Sequence, residues 1–154
     1  MRMLHPVSRR IANRIIFVLS LAGILMAVYV LQSFLRQSPI VCLTNGCETV
    51  RKSPLAWPFG IPVPAFGLIG YALIAMFAFF RTMNAKRRTL FLYIVTGIAS
   101  GGVLFVTWFT YTEIFSIGAI CTWCAISGVN MIVIAITSWW SVFSLKQEGR
   151  SYKP

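Results

Sequence analysis

Four apolar runs divide the chain. The first, Ile15 to Leu35, carries no charge and meets the ~20 residues a helix needs to cross a bilayer. The second starts near Ile61 and stops before Arg81, with Pro62 and Pro64 at its entry. The first turn of a helix tolerates a missing N–H, so those prolines mark a helix start. The third runs from about Thr89 to Thr110; its Gly97, Ala99, Ser100, Gly101 and Gly102 let a neighbouring helix come close. The fourth runs from about Ile117 to Phe143, and its Trp139 and Trp140 suit an interfacial belt. A cleaved signal peptide competes for the first run, but its apolar core spans only ~7–15 residues before a small-residue cleavage site. This run is longer and ends in Leu35-Arg36-Gln37, so it reads as a retained span. The pattern predicts an all-α integral membrane protein, a four-transmembrane-helix bundle over 15–143, with terminal segments 1–14 and 144–154. No internal repeat, low-complexity tract or second domain is visible.

Composition agrees. Of 154 residues, 58% are hydrophobic and 11% charged, against roughly a quarter charged in soluble domains. The net charge of +11 comes in short clusters between apolar runs, without a motif or basic stripe for nucleic acid. Arg2, Arg9, Arg10 and Arg14 precede the first span; Arg81, Lys86, Arg87 and Arg88 separate the second and third; Lys146, Arg150 and Lys153 follow the fourth. The opposite side holds only Arg36, Arg51 and Lys52. The positive-inside rule then puts both termini in the cytoplasm. Segments 36–60 and 111–116 face outward. In the longer one, Ser38-Pro39, Asn45-Gly46, Ser53-Pro54 and Trp57-Pro58 read as turns.

All four cysteines fall on the outward side, where disulfides form and persist. Cys42 and Cys47 lie in the 36–60 loop as C-x4-C; Cys121 and Cys124 lie at the outer end of the fourth span as C-x-x-C. On a helix, positions i and i+3 share a face. The N–H groups and dipole at that helix end favour a thiolate, the species that attacks disulfides. A pair just below the membrane surface can meet a lipid-soluble oxidant, and a loop pair can meet a soluble protein. Exchange through a mixed disulfide can connect them. Static staples compete, although C-x-x-C closes almost no loop. A zinc or copper site would use the same ligand set, but an oxidising face works against four free thiolates, and no metal is assigned.

At these residues the chain resembles the bacterial vitamin K epoxide reductase family. The resemblance covers Cys42 to Asn130. It rests on Cys42–Cys47 followed by Ser53, on Gly60-Ile61-Pro62-Val63-Pro64-Ala65-Phe66-Gly67-Leu68-Ile69-Gly70-Tyr71, and on Ile120-Cys121-Thr122-Trp123-Cys124. It implies a four-helix core around a quinone (ubiquinone or menaquinone) in a bacterial plasma membrane, with a thioredoxin-fold, DsbA-like partner on the outer face. With the chain ending at Pro154, that partner is expected to be a separate protein. It implies that Cys42 receives electrons, Cys47 exchanges with Cys121, and Cys124 meets the quinone. Ser53 matches a serine near the active centre, or is a turn residue before Pro54. The quinone-facing candidates are Cys124, Val63, Phe66, Gly67 and Trp57. Animal relatives bind the quinone oxygens with an asparagine and a tyrosine, which here fall on Val63 and Gly128, so quinone reduction is expected rather than reduction of vitamin K epoxide. The loop spacing is also shorter than in many relatives. The DsbB family shares four spans and two outer cysteine pairs, but in the reverse order. A thiol-based metal transporter is the non-enzymatic alternative.

Other residues divide between readings. Glu113 lines the outer mouth of the site, or takes up protons, or, the favoured reading, marks the end of the third span at the interface. Trp57 and Phe59 cap the quinone or, the favoured reading, anchor the loop in headgroups. Glu48 reads as solvated, and His5 lies far from the cysteines. Trp123 packs against lipid or tunes access.

Overall fold

A computed structural model describes residues 4–38, 40–42, 46–84 and 86–151. The readings at Arg2, Pro39, Asn45 and Lys153 lie outside the described residues, as do the side chains of His5, Arg9 and Arg150. Among the described residues five α-helices form: α1 (Leu4–Arg36), α2 (Gly46–Lys52), α3 (Val63–Met83), α4 (Arg88–Thr112) and α5 (Thr122–Ser151). Four stretches are long and apolar enough to cross a membrane: Arg10–Arg36, Val63–Met83, Arg88–Ile117 and Thr122–Gln147. The fold is an all-α, four-span membrane bundle.

The long helices are apolar nearly all round, as lipid-facing helices are. Leu25, Leu104 and Ile136 are among the large side chains left on the outside. Polar hydroxyls inside the spans bond back to their own helix: Thr96 to the Leu92 carbonyl, Thr137 to Val133, Ser141 to Thr137. That satisfies them where water is absent. α1 packs on α3 and α5, and α4 packs on the same two helices, closing a ring of four. Pro62 caps α3 and Pro64 sits in its first turn, where the sequence places a helix start.

Two packed clusters fill the bundle. One holds Ile16, Tyr71, Ile74, Val95, Ala99, Met131 and Ile134. The other, at the cysteine end, holds Val30, Phe34, Cys47, Val50, Val63, Phe109 and Cys121. At the far end, Arg81 departs from expectation. Instead of standing between spans it lies inside α3, 5% exposed. It donates to Asn13 Oδ1 at 3.0 Å. Asn13 Nδ2 in turn donates to the Ala78 carbonyl and Thr82 Oγ1. A polar partner on α1 thus draws the charge into the helix packing.

The fourth span also differs. Glu113–Ile117 forms a π-turn, and Gly118 ends it in the left-handed region at φ 70°. α5 starts only at Thr122, five residues after the expected Ile117. The expected second loop, 111–116, is thus helical, and the chain leaves helix only at 118–121. A left-handed glycine is the usual way to stop a helical turn.

Candidate redox site

The loop after α1 folds into a cap over the cysteine end. α2 begins at Gly46 with no room for a side chain. A Cβ there would stand 2.3 Å from the Ile120 carbonyl oxygen. The cap is thereby seated directly on the segment that carries Cys121. Cys42 and Cys47 are disulfide-bonded with Cα atoms 6.4 Å apart. Cys121 is buried and Cys124 half-buried, both as free thiols. All four belong to one packed cluster, so the structure brings the two pairs together.

The C-x-x-C pair does not sit wholly on the helix. The Cys121 carbonyl accepts from Ala125 N–H at 3.0 Å, so Cys121 occupies the cap position and Cys124 the first turn. Hydrogen bonding from Cys124, and from the backbone N–H groups of Cys124 and Trp123, holds the Cys121 thiol below its ordinary range. The helix terminus acts on Cys121, the residue nearest the cap.

Behind the two sulfurs stands Glu113. The favoured interfacial reading is overturned: the residue is 1% exposed, because the π-turn folds it under the cap. Its carboxylate oxygen and the sulfurs of Cys121 and Cys124 all lie within 4.8 Å of one another. It faces the Cys124 thiol and the backbone N–H of Cys121. Sequence reasoning gives it a place at the mouth of the site only as the less favoured reading. The available signal was that only three acids exist in the chain, and this one alone lies between the third and fourth apolar runs, close before the C-x-x-C pair.

On its other side Cys124 lines a cavity of about 310 Å³. The cavity lies between the two clusters, bounded by members of both. Val63, Phe66 and Gly67 line it, as do Phe105, Phe109 and Ser127. Its size and apolar, aromatic walls fit the head of a flat lipid-soluble ring. Tyr71 also lines it, but its hydroxyl is committed to the Ser127 carbonyl at 2.7 Å. Gly128 faces α4: a Cβ there would meet Val106 Cγ1 at 2.7 Å.

Two candidates lie elsewhere. Ser53 Oγ accepts from Leu55 N–H at 3.3 Å, capping the turn Pro54–Ala56. Trp57 does not line the cavity; its indole N–H donates to the Arg51 carbonyl and its ring packs on Phe34. The cap turns it onto the end of α1. Phe59, with φ 57° and 99% exposure, points away from the cap. Glu48 pairs with Arg51 and Lys52.

Trp123 joins the cap to α5. It lines the cavity, and its indole N–H donates to the Val41 carbonyl at 2.9 Å. Val41 N–H reaches Tyr29 Oη at 3.4 Å, and the Tyr29 and Trp123 rings lie 5.1 Å apart. The residue before Cys42 is therefore held from both sides. Trp123→Phe keeps the ring and loses one hydrogen bond, a cost of about 1 kcal/mol. We expect a protein thiol to reduce the Cys42–Cys47 disulfide roughly five-fold more slowly and a small thiol to reduce it at an unchanged rate, read by thiol alkylation.

No curated protein matches the chain. A family model does: that of the vitamin K epoxide reductase family, over residues 14–139. The match takes in α3 and α4 whole, most of α1 and α5, and both cysteine pairs, beyond the 42–130 stretch that carries the motifs. Four spans, two cysteine pairs in one cluster and an apolar cavity against Cys124 agree with it. The chain belongs to the vitamin K epoxide reductase family, whose members are membrane thiol oxidoreductases.

Proposed function

We propose that the protein carries electrons from a thioredoxin-fold thiol protein to a quinone, making disulfides on the outer side of a bacterial plasma membrane. One observation carries the reading: the Cys124 sulfur is shared between the four-cysteine cluster and the apolar cavity. The charge distribution supports the orientation. Arg10, Arg14, Lys86, Arg87, Arg88 and Lys146 lie at the bundle end opposite Arg51, Lys52 and the cysteines, which the positive-inside rule makes cytoplasmic.

A partner thiolate attacks the Cys42–Cys47 disulfide at Cys42, and Cys47 is released; the partner's second thiol then displaces Cys42, and the partner leaves with a new disulfide. Cys47 attacks a Cys121–Cys124 disulfide at Cys121, and Cys124 is released toward the cavity; the freed Cys42 thiolate then attacks Cys47, re-forming the Cys42–Cys47 bond and releasing Cys121. A quinone there supplies a two-electron, two-proton acceptor. Val63, Phe66, Gly67 and Phe105 exclude water and hold its ring.

The test is purified protein with a reduced thioredoxin-fold protein and a panel of ubiquinone and menaquinone analogues, followed by absorbance. Decay that needs protein, thiol and quinone together is the expected result. No decay with any quinone ends the reading. Alkylation of cells with an impermeant reagent tests the orientation: label should enter from outside only. Cys42→Ala should cut turnover with the protein partner to background while dithiothreitol-driven turnover falls less than ten-fold, because a small thiol can open the C-x-x-C disulfide at the half-buried Cys124 without the loop pair.

A further inference from the structure

Glu113 has no place in the relay as described, yet it is buried against both sulfurs of the C-x-x-C pair. Among the described residues no cation pairs with it: Arg51 and Lys52, the basic residues of the cap, bridge Glu48. The ionisable groups facing it are Cys121 and Cys124, since Cys47 on α2 is in a disulfide. Its Oε1 has no hydrogen-bond partner. A buried carboxylate is stabilised only by the donors it keeps. Here those are the Cys121 N–H and the Cys124 S–H, and the second vanishes when the pair becomes a disulfide.

We propose that Glu113 is the proton-exchange group of the C-x-x-C pair, storing the Cys124 proton while the pair is oxidised and returning it when the disulfide is opened. The inference rests on the quinone-reductase reading above for the acceptor, though not for the proton movement itself. On oxidation, the Cys121 and Cys124 thiols form one S–S bond and release two electrons and two protons. One proton passes from Cys124 to the Glu113 carboxylate. The electron pair leaves through the Cys124 sulfur as Cys121 Sγ closes on it; the Cys121 proton passes to water, and the acceptor draws its two protons from water. On reopening, the Cys47 thiolate forms a bond to Cys121 Sγ, and the Cys121–Cys124 bond breaks. The departing Cys124 sulfur takes the proton from the Glu113 carboxyl, which becomes a carboxylate again. Charge balances in both directions. The cavity walls are apolar and Glu113 stands on the other side of Cys124, so the carboxyl serves the sulfur rather than the acceptor.

Infrared difference spectra of the purified protein, with the pair reduced by dithiothreitol and oxidised by diamide, test this without any quinone. Oxidation should add the C=O stretch of a protonated carboxyl, shifted in deuterium oxide and missing in Glu113→Gln. No such band in the wild type, or one that survives in Glu113→Gln, overturns the proposal. Rapid-mixing measurement of disulfide opening gives a second readout. Glu113→Gln should open about 100-fold more slowly at neutral pH, the usual scale for a lost general acid. The deficit should shrink as pH falls and bulk protons reach Cys124, and Glu113→Asp should recover part of the rate. A deficit constant with pH marks a merely structural role, and faster opening marks simple charge repulsion; both refute the exchange role. If the wild type reduces no quinone yet shows the carboxyl band, the function proposed above fails and the proton exchange stands.

Discussion

Cys124→Ala is expected to bring quinone reduction to the rate of the protein-free mixture, a fall of about 1,000-fold or more. Cys124 is the one sulfur from the C-x-x-C pair that lines the cavity. Cys121 is buried behind it, 1% exposed, at the cap of α5. Without Cys124 the electrons have no atom from which to leave, and Cys121 has no partner with which to close a disulfide. The substitution removes only a sulfur from a half-buried position, so the four-helix core led by Ile74, Val95 and Ile134 should remain folded. The loop disulfide should still be reduced once by a protein thiol, in a single turnover that leaves the quinone absorbance unchanged. Sustained turnover in this variant would show that electrons reach the acceptor by another path.

Gly46→Val is the second large effect, and it acts without touching a sulfur. Even the Cβ would lie 2.3 Å from the Ile120 carbonyl oxygen, 3.1 Å from its carbon and 3.3 Å from its nitrogen. These are backbone atoms, so the side chain cannot be accommodated by a rotamer change. Non-bonded contacts settle nearer 3.5 Å, so α2 must lift by about 1 Å. That displacement carries Cys47 away from Cys121. Misplacing reacting groups by that much costs about 100-fold in rate. Turnover driven by a thioredoxin-fold protein should fall by that factor. Dithiothreitol-driven turnover should stay within a few-fold of wild type, because Cys121, Cys124 and the cavity keep their places. Equal losses with both reductants, at an unchanged melting temperature, would contradict the idea that Gly46 seats the cap.

The spans were legible because lipid demands long apolar helices, and Pro62 and Pro64 advertised the start of α3. The interruption between α4 and α5 was not. Residues 117–121 are as apolar as a span, so hydropathy runs through them, and only Gly118 signalled the stop. Arg81 was misplaced for the opposite reason. A charge reads as an interface until a partner is known, and Asn13 is 68 residues away. The cysteines were legible as pairs by spacing alone. Their convergence on one cluster depends on the seat at Gly46, a contact between residues 74 positions apart that no local pattern contains. The interfacial reading of Glu113 was favoured over a place in the site because its burial comes from the π-turn and the cap together.

The position of the cavity has a mechanical consequence. It separates two packed halves of one bundle, with walls drawn from α1, α3, α4 and α5. Whatever fills it acts as mortar between them. An occupant at 100 times its dissociation constant would add roughly 2.7 kcal/mol to the folded state. The bundle's resistance to melting then becomes a gauge of how much ring-bearing lipid the surrounding bilayer holds, and protein stripped by detergent should be the first to soften.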